Sequence, residues 1–322
     1  MNYSNRVDDS DRQRPEQRFT LFARTPTRFV QAGETRLAYQ AFEPRGGFDE
    51  TLLLIVGHGG QLHYWGEQFV KGLVQAGYRV VVFDNRDAGL SEKFDHLGKP
   101  DLARMWYHHT CRQPIKPPYT LENMARDAVA LLGELNITDA HIIGASMGGM
   151  IGQLVAARFP ERTLSLTSIM SSSGARKLPD PDRDVLALMQ SLKAPRQHDQ
   201  RQHELRVRFW QAIGSDRHGS DAYFDDLVAY TRARADHPPG VDRQLAAIWA
   251  SGDRTRLIRS IRVPTHVIHG RDDALFPLAH GAHVADQIGN SELSIIDHMG
   301  HAFQPEIIAP LLSAVLRFLE RH

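Results

Sequence analysis

The stretch His141-Ile142-Ile143-Gly144-Ala145-Ser146-Met147-Gly148-Gly149 decides the architecture of this 322-residue chain. A short apolar run ends at Gly144, and a helical pattern opens near Met147, so Ser146 stands on a strand-to-helix turn. A turn this tight pushes the serine side chain outward and crowds nearby Cβ atoms. The small residues Gly144, Gly148 and Gly149 relieve that crowding. The helix N-terminus also turns backbone N–H groups toward the serine, which favours negative charge developing there. A Gly-x-Ser-x-Gly pentapeptide alone is common, and its plain reading is a glycine-rich turn in which Ser146 caps a helix. The flanking strand and helix favour the reading as a nucleophile.

Apolar runs recur outward from this turn. Residues 51–56, 79–83, 164–170, 265–268 and 293–296 read as short strands, and the first, ended by glycines, suits a strand buried on both faces. Residues 28–31 and 35–42 read as two more strands joined at Ala32-Gly33. Helical spacing of apolar residues separates these runs at 64–76, 120–135, 147–159 and 306–319, with Thr120 placed to cap the second. Such alternation predicts an α/β fold, a mostly parallel central sheet flanked by helices on both faces. The alternation fails between Ala175 and Ser260. There the stretches 184–192, 203–213, 221–232 and 242–250 carry helical spacing, separated by prolines and glycines. The expected organisation is a loose N-terminal tail at 1–20, a core at 21–174 and 261–322, and a helical lid insertion at 175–260.

Composition narrows the partners. Lys plus Arg equals Asp plus Glu at 38 each, so no general attraction to nucleic acid or to an anionic membrane is expected. The single cysteine, Cys111, rules out an internal disulfide and a thiolate metal cluster. The first 18 residues are polar and mixed in charge, without the apolar centre of a signal peptide. No run is long enough to span a bilayer. The default expectation is a cytoplasmic protein. Ligand spacing for a metal and the Lys-Ser/Thr ending of a phosphate loop are both missing, so neither metal nor cofactor is expected.

A serine nucleophile needs a base, and the base needs an orienting acid. Two loops that follow strands at their carboxyl ends carry candidates, and open α/β sheets gather their sites there. Gly270-Arg271-Asp272-Asp273 offers two carboxylates, and Asp297-His298-Met299-Gly300-His301 offers two imidazoles. With 17 histidines in the chain, a lone one proves nothing, and the residues alone leave both pairs open. Gly57-His58-Gly59-Gly60 ends the run at 51–56. The N–H of Gly60, with that of Met147, is placed to form an oxyanion hole, against the plain reading of a strand-to-helix turn. His58 reads as structural. Asp84 to Ser91 reads as a loop knit by hydrogen bonds, with no chemistry assigned.

Taken together, Gly57-His58-Gly59-Gly60, Asp84-x-Arg86-x-x-Gly89-x-Ser91, Gly144-x-Ser146-x-Gly148-Gly149, Gly270-x-x-Asp273-x-x-x-Pro277 and Gly300-His301 resemble the successive signatures of the α/β-hydrolase superfamily. The resemblance covers the chain from about Thr27 to the C-terminus, apart from the helical insertion. Asp-Asn-Arg-Asp and Ser-Met-Gly-Gly look closest to bacterial carboxylesterases and aclacinomycin-methylesterase-like proteins. It implies a Ser-acid-His order, selects Asp273 over Asp272 by its distance from the glycine and the proline, and selects His301 because a glycine precedes it. Two positions depart from the pattern: Gln61 stands where proline is common, and Asp87 where glycine is common, the latter matching the methylesterase-like group. A serine at the elbow also argues against the epoxide hydrolases and haloalkane dehalogenases, which use an aspartate.

The expected activity is hydrolysis of a small-molecule carboxylic ester by Ser146, Asp273 and His301 through an acyl-enzyme. The rivals are lactone, thioester or carbon–carbon bond hydrolysis on the same triad, and a weakly catalytic ligand receptor. Large apolar residues of the insertion, above all Trp210, Phe224 and Trp249, are expected to line the substrate pocket. Oligomeric state is not legible in the sequence.

Overall fold

The computed structural model describes residues 18–111, 113–193, 199–214 and 221–322. Eight strands form one sheet: β1 Arg28–Ala32, β2 Thr35–Phe42, β3 Thr51–Ile55, β4 Arg79–Phe83, β5 Ala140–Ala145, β6 Thr163–Ile169, β7 Thr265–Gly270 and β8 Ser291–Ile296. Their spatial order is β1-β2-β4-β3-β5-β6-β7-β8. β1 pairs antiparallel with β2, β2 antiparallel with β4, and every other pairing is parallel. Each run read as a strand in the sequence is present.

β3 is buried along its whole length because both faces are covered. Leu53 and Ile55 pack with Val81, Phe83 and Ile142 on one face, under helices α4 (Leu121–Glu134) and α5 (Met147–Arg158). Leu52 and Leu54 pack with Val80, Val82 and Ile143 on the other, under α2 (Glu67–Gln75) and α12 (Pro305–Leu319). Thr120 caps α4 through a reciprocal box with Asn123, satisfying N–H groups that a helix start leaves unpaired. Strand order turns outward in both directions from β3 and β5, and the crevice beyond such a switch point is where open α/β sheets bind ligands.

The stretch between β6 and β7 carries α6 (Arg183–Lys193), α7 (Asp199–Ile213), α8 (Asp221–Arg234) and α9 (Pro238–Ser251), followed by the short α10 (Thr255–Ile258). The expected insertion boundary at 260 needs correction: α10 packs on α5 and on α11 (Ala279–Gln287), and Ile258 is buried in the core beside Ile261 and Val267. Four described helices, α1 (Thr20–Arg24), α3 (Leu102–Thr110), α10 and α11, were not read as helices in the sequence. α1 also corrects the tail expected at 1–20. Phe19 is buried, stacked on Tyr230 and edge-on to His63, so the chain is tied down from there onward. Residues 1–17 of that tail lie outside the described residues. Among the described residues, no helix is long and apolar enough to cross a membrane.

Candidate active site

Ser146 takes φ 55 and ψ −119, a conformation costly for a residue with a Cβ, at the head of α5. Neighbouring glycines make the turn possible. A Cβ on Gly148 would lie 1.8 Å from the Ile55 carbonyl oxygen, and one on Gly144 would lie 2.2 Å from that of Gly148. The Ser146 N–H donates to Ile169 O at 2.9 Å, and the Ser171 hydroxyl donates to Ser146 O at 2.8 Å, which fixes the turn from β6. The first N–H groups of α5, beginning with Met147, have no acceptor within the helix.

His301 Nε2 lies 2.9 Å from Ser146 Oγ, and its Nδ1 lies 2.7 Å from Asp273 Oδ2. An ionised carboxylate can only accept, so Nδ1 carries a proton and, in the neutral ring, Nε2 is left to accept from the serine hydroxyl. Asp273 Oδ1 accepts the N–H groups of Leu275 at 2.9 Å and Phe276 at 2.7 Å. Burial pushes this carboxyl's pKa up, but the charges and hydrogen bonds of His301 and His269 outweigh it and hold the group well below the ordinary carboxylate range. His269 Nε2 donates to Phe276 O at 2.7 Å and stands 3.4 Å from Asp273 Oδ2, bracing the loop that carries Asp273. The competitors lie apart from this line. Asp272 and His298 are 43% and 46% exposed, and face each other at 3.7 Å.

Residues 57–60 form a turn in which the Gly60 N–H donates to Gly57 O at 3.1 Å, with Gly59 at φ +64. The Gly60 N–H thus already has an acceptor. A Cβ on Gly57 would stand 3.7 Å from Ser146 Oγ, so this turn abuts Ser146.

The insertion grips the same turn. His58 Nε2 donates to Val241 O at 2.8 Å, and Gln244 Oε1 accepts the Gly59 N–H at 2.8 Å. Gln61 Nε2 donates to Thr231 O and Ala235 O at 3.0 and 2.7 Å, and Gln61 Oε1 accepts from Arg234 at 2.8 Å. The residue standing where proline is common is therefore an anchor for α8. Ile213 O, at the end of α7, accepts the His301 N–H at 2.5 Å.

The aromatic residues expected to line the pocket divide. Phe224 is 1% exposed, stacked on Trp210 and packed with Leu227, Met299 and Ala302, so it has no face open to a cleft and belongs to the core. Trp210 meets Tyr64 edge-on at 5.3 Å, and the Tyr64 ring presses on Gly60, where a Cβ would be 3.2 Å away. Trp249 lies against Trp106 and His109 of α3. Tyr64, Val241, Gln244 and His269 were missed in the sequence, since only position in the fold sets them apart from other residues of their types. A cavity of about 660 Å³ between α4, α5 and α10 has none of Ser146, Asp273 and His301 in its lining.

Residues 50–306 match the model of the alpha/beta hydrolase fold family, and the chain belongs to that family. It is 28% identical over 314 residues to the rhodomycin D methylesterase of a Streptomyces species, covering 90% of this chain and 97% of that protein. It is 27% identical over 297 residues to the 2-hydroxy-6-oxononadienedioate/2-hydroxy-6-oxononatrienedioate hydrolase of Escherichia coli, covering 90% and 93%. The crystal structure of the enol-lactonase from Burkholderia xenovorans LB400 superposes with a TM-score of 0.70 at 20% identity, covering 91% of this chain and all of that one.

Proposed function

We propose that the chain is a serine hydrolase that cleaves a carboxylic ester through an acyl-enzyme. The observation that carries the proposal is the unbroken line Asp273–His301–Ser146, at 2.7 and 2.9 Å, ending on a serine held at positive φ. His301 Nε2 takes the proton as Ser146 Oγ attacks the ester carbonyl, and Asp273 stabilises the imidazolium. The Met147 N–H is the first oxyanion donor, and the Gly60 N–H is the second, shared with Gly57 O. Collapse of the tetrahedral adduct expels the alcohol, which takes the proton from His301. Water, deprotonated by His301, then attacks the acyl-enzyme and releases the acid.

The insertion acts in this reading as a fixed lid that sets substrate choice. Three of its arginines already hold partners in the core, which favours uncharged substrates. Arg234 pairs with Asp84 and Arg243 with Asp87, while Arg254 donates to the carbonyls of Ser172 and Gly252. A substrate carrying two carboxylates, such as the dienedioate in the name of the Escherichia coli relative, would find those cations occupied. The ester named for the Streptomyces relative supports the same choice.

The test is labelling by a fluorophosphonate, followed by turnover of matched ester, thioester and lactone substrates. Ser146→Ala should abolish labelling and lower turnover roughly a million-fold while leaving the fold intact. Full activity in that variant would end the proposal. A wild-type protein that labels but hydrolyses no ester would be a receptor or act on another bond.

A further inference from the structure

We infer that His269 is a positioning residue of the triad: through Phe276 it holds the carboxylate of Asp273 and the ring of His301 in line with Ser146. The inference rests on the serine-hydrolase reading above.

His269 stands near the end of β7, one residue before Gly270, with its side chain fully buried. Its Nε2 lies 2.7 Å from Phe276 O, and a carbonyl can only accept, so Nε2 carries a proton. The same nitrogen stands 3.4 Å from Asp273 Oδ2, the oxygen that His301 Nδ1 reaches at 2.7 Å. The other ring nitrogen, Nδ1, has no hydrogen-bond partner among the described residues. An unpaired buried polar atom costs stability, so an apolar side chain would serve packing better here. The ring is also closely confined. A Cβ on Gly281 of α11 would lie 2.4 Å from His269 Nδ1.

Phe276 carries the effect of that bond to the triad. Its N–H donates to Asp273 Oδ1 at 2.7 Å, and its carbonyl accepts from His269. Its ring meets the His301 ring edge-on, with centroids 5.3 Å apart at 89°. All three contacts hang on one Cα, so what fixes Phe276 steadies both the acid and the base. The hydrogen bonds of Asp273 Oδ1 run to Leu275 and Phe276, so they fix the carboxylate relative to its own turn only. The His269 bond ties the last residue of that turn back to β7. On α11, the His280 ring stacks on the Phe276 ring at 5.0 Å. His280 is itself bonded to Ser172 Oγ at 2.8 Å and Pro179 O at 2.9 Å, so it backs Phe276 from a fixed place.

A base held in line matters most as it takes up the proton, so loosening it should act on the transition state more than on substrate binding. His269→Gln puts an amide N–H close to where Nε2 stood. His269→Met is of similar length and has no donor. Gly281→Ala removes no hydrogen-bonding group and pushes on the ring instead. The experiment measures kcat and KM of the three variants on an ester the wild type turns over. Phosphonate titration counts the competent serines, so that only folded protein enters kcat. The proton NMR signal of His301 Nδ1–H is recorded beside it and needs no substrate. For His269→Met we expect kcat to fall about 10- to 100-fold with KM within about threefold, and the Nδ1–H signal to broaden or vanish. His269→Gln should recover part of both, and Gly281→Ala should lower kcat with KM little changed. Unchanged kcat per titrated serine in His269→Met, or a loss confined to KM, would overturn the inference. Equal losses in His269→Gln and His269→Met would assign the effect to packing and overturn it as well. A wild type without esterase activity would instead overturn the serine-hydrolase reading, and the Nδ1–H signal would still decide whether His269 holds His301 and Asp273 together.

Discussion

Arg243 and Asp87 form a two-pronged ion pair, Nε to Oδ2 at 2.8 Å and Nη2 to Oδ1 at 2.7 Å, with both side chains fully buried between the insertion and the loop after β4. A second pair, Arg234 with Asp84 at 2.8 Å, joins α8 to the same loop. Loop residues that the sequence suggested only as local hydrogen-bonding partners thus also hold the insertion to the core. Breaking such a pair strands a buried charge. Arg243→Met should destabilise the protein by about 3–5 kcal/mol, read from chemical denaturation, while Asp87→Leu combined with Arg243→Met should recover much of the loss. A double variant no more stable than the single would refute the stranded-charge account.

Acid should loosen the same joint. Burial pushes the Asp87 carboxyl up, but the hydrogen bonds and charge of Arg243, the Phe94 N–H and Tyr119 outweigh it and leave the group below the ordinary carboxylate value. A folded value below the unfolded one means the stabilisation is complete above the unfolded carboxylate range and is lost as pH falls through the folded value. Asp273 is lowered in the same way, more strongly. Stability should therefore fall progressively below about pH 4, with a smaller slope in Asp87→Asn. A pH–stability curve identical in slope between that variant and the wild type would remove Asp87 from the explanation.

The neighbouring candidates give a sharp contrast. His301→Ala should lower turnover on the order of a million-fold, and Asp273→Asn about ten-thousand-fold, since the acid orients the base and moves no proton. His298→Ala and Asp272→Asn alter exposed side chains and should stay within about threefold of wild type. Steady-state kinetics on one ester, with all four variants, decides it. Greater sensitivity at Asp272 or His298 than at its neighbour would reverse the assignment.

Protonation should appear in the rate as a single event. Because Asp273 is held well below the ordinary carboxylate range, it stays ionised wherever an imidazole gains its proton. The acid limb of kcat/KM should thus fall with a slope of one proton, from loss of the free base alone. A limb with a slope of two would mean that the acid titrates alongside the base.

Much of this was legible in the sequence, for a definite reason. The strands at Thr51–Ile55 and Arg79–Phe83 are buried on both faces, and double burial writes itself as an unbroken apolar run. The elbow was readable because glycine is obligatory where a Cβ would strike the backbone, as at Gly148. Of the helices missed, α3 has no buried residue at all, so nothing imposed a periodic apolar stripe on it. Gln244 was invisible for a related reason. A single polar residue inside a helix gives no sign that it reaches a loop 185 positions away. Phe224 was misplaced because an aromatic in the insertion serves a core as readily as a cleft, and only burial tells them apart.

Tyr64 presses on Gly60 of the 57–60 turn, and Trp210 meets Tyr64 edge-on. Arginines that could have held a substrate carboxylate are engaged with Asp84, Asp87 and backbone carbonyls. An apolar wall gains roughly 0.8 kcal/mol for each methylene it buries, and an unpaired carboxylate loses far more on desolvation. Neutral esters of short to medium acyl chain should therefore surpass a matched succinyl-type ester in kcat/KM. Trp210→Ala and Tyr64→Ala should shift the preferred chain length, since each removes a ring from that wall. Phe224→Ala should instead cost about 3–5 kcal/mol of stability, because the ring fills the core. The measurement is kcat/KM across a neutral acyl series and the succinyl ester, in the parent and in these variants, with a denaturation curve for each. A winning succinyl ester would refute the neutral cleft. Unchanged chain-length preference in both Trp210→Ala and Tyr64→Ala would refute the wall.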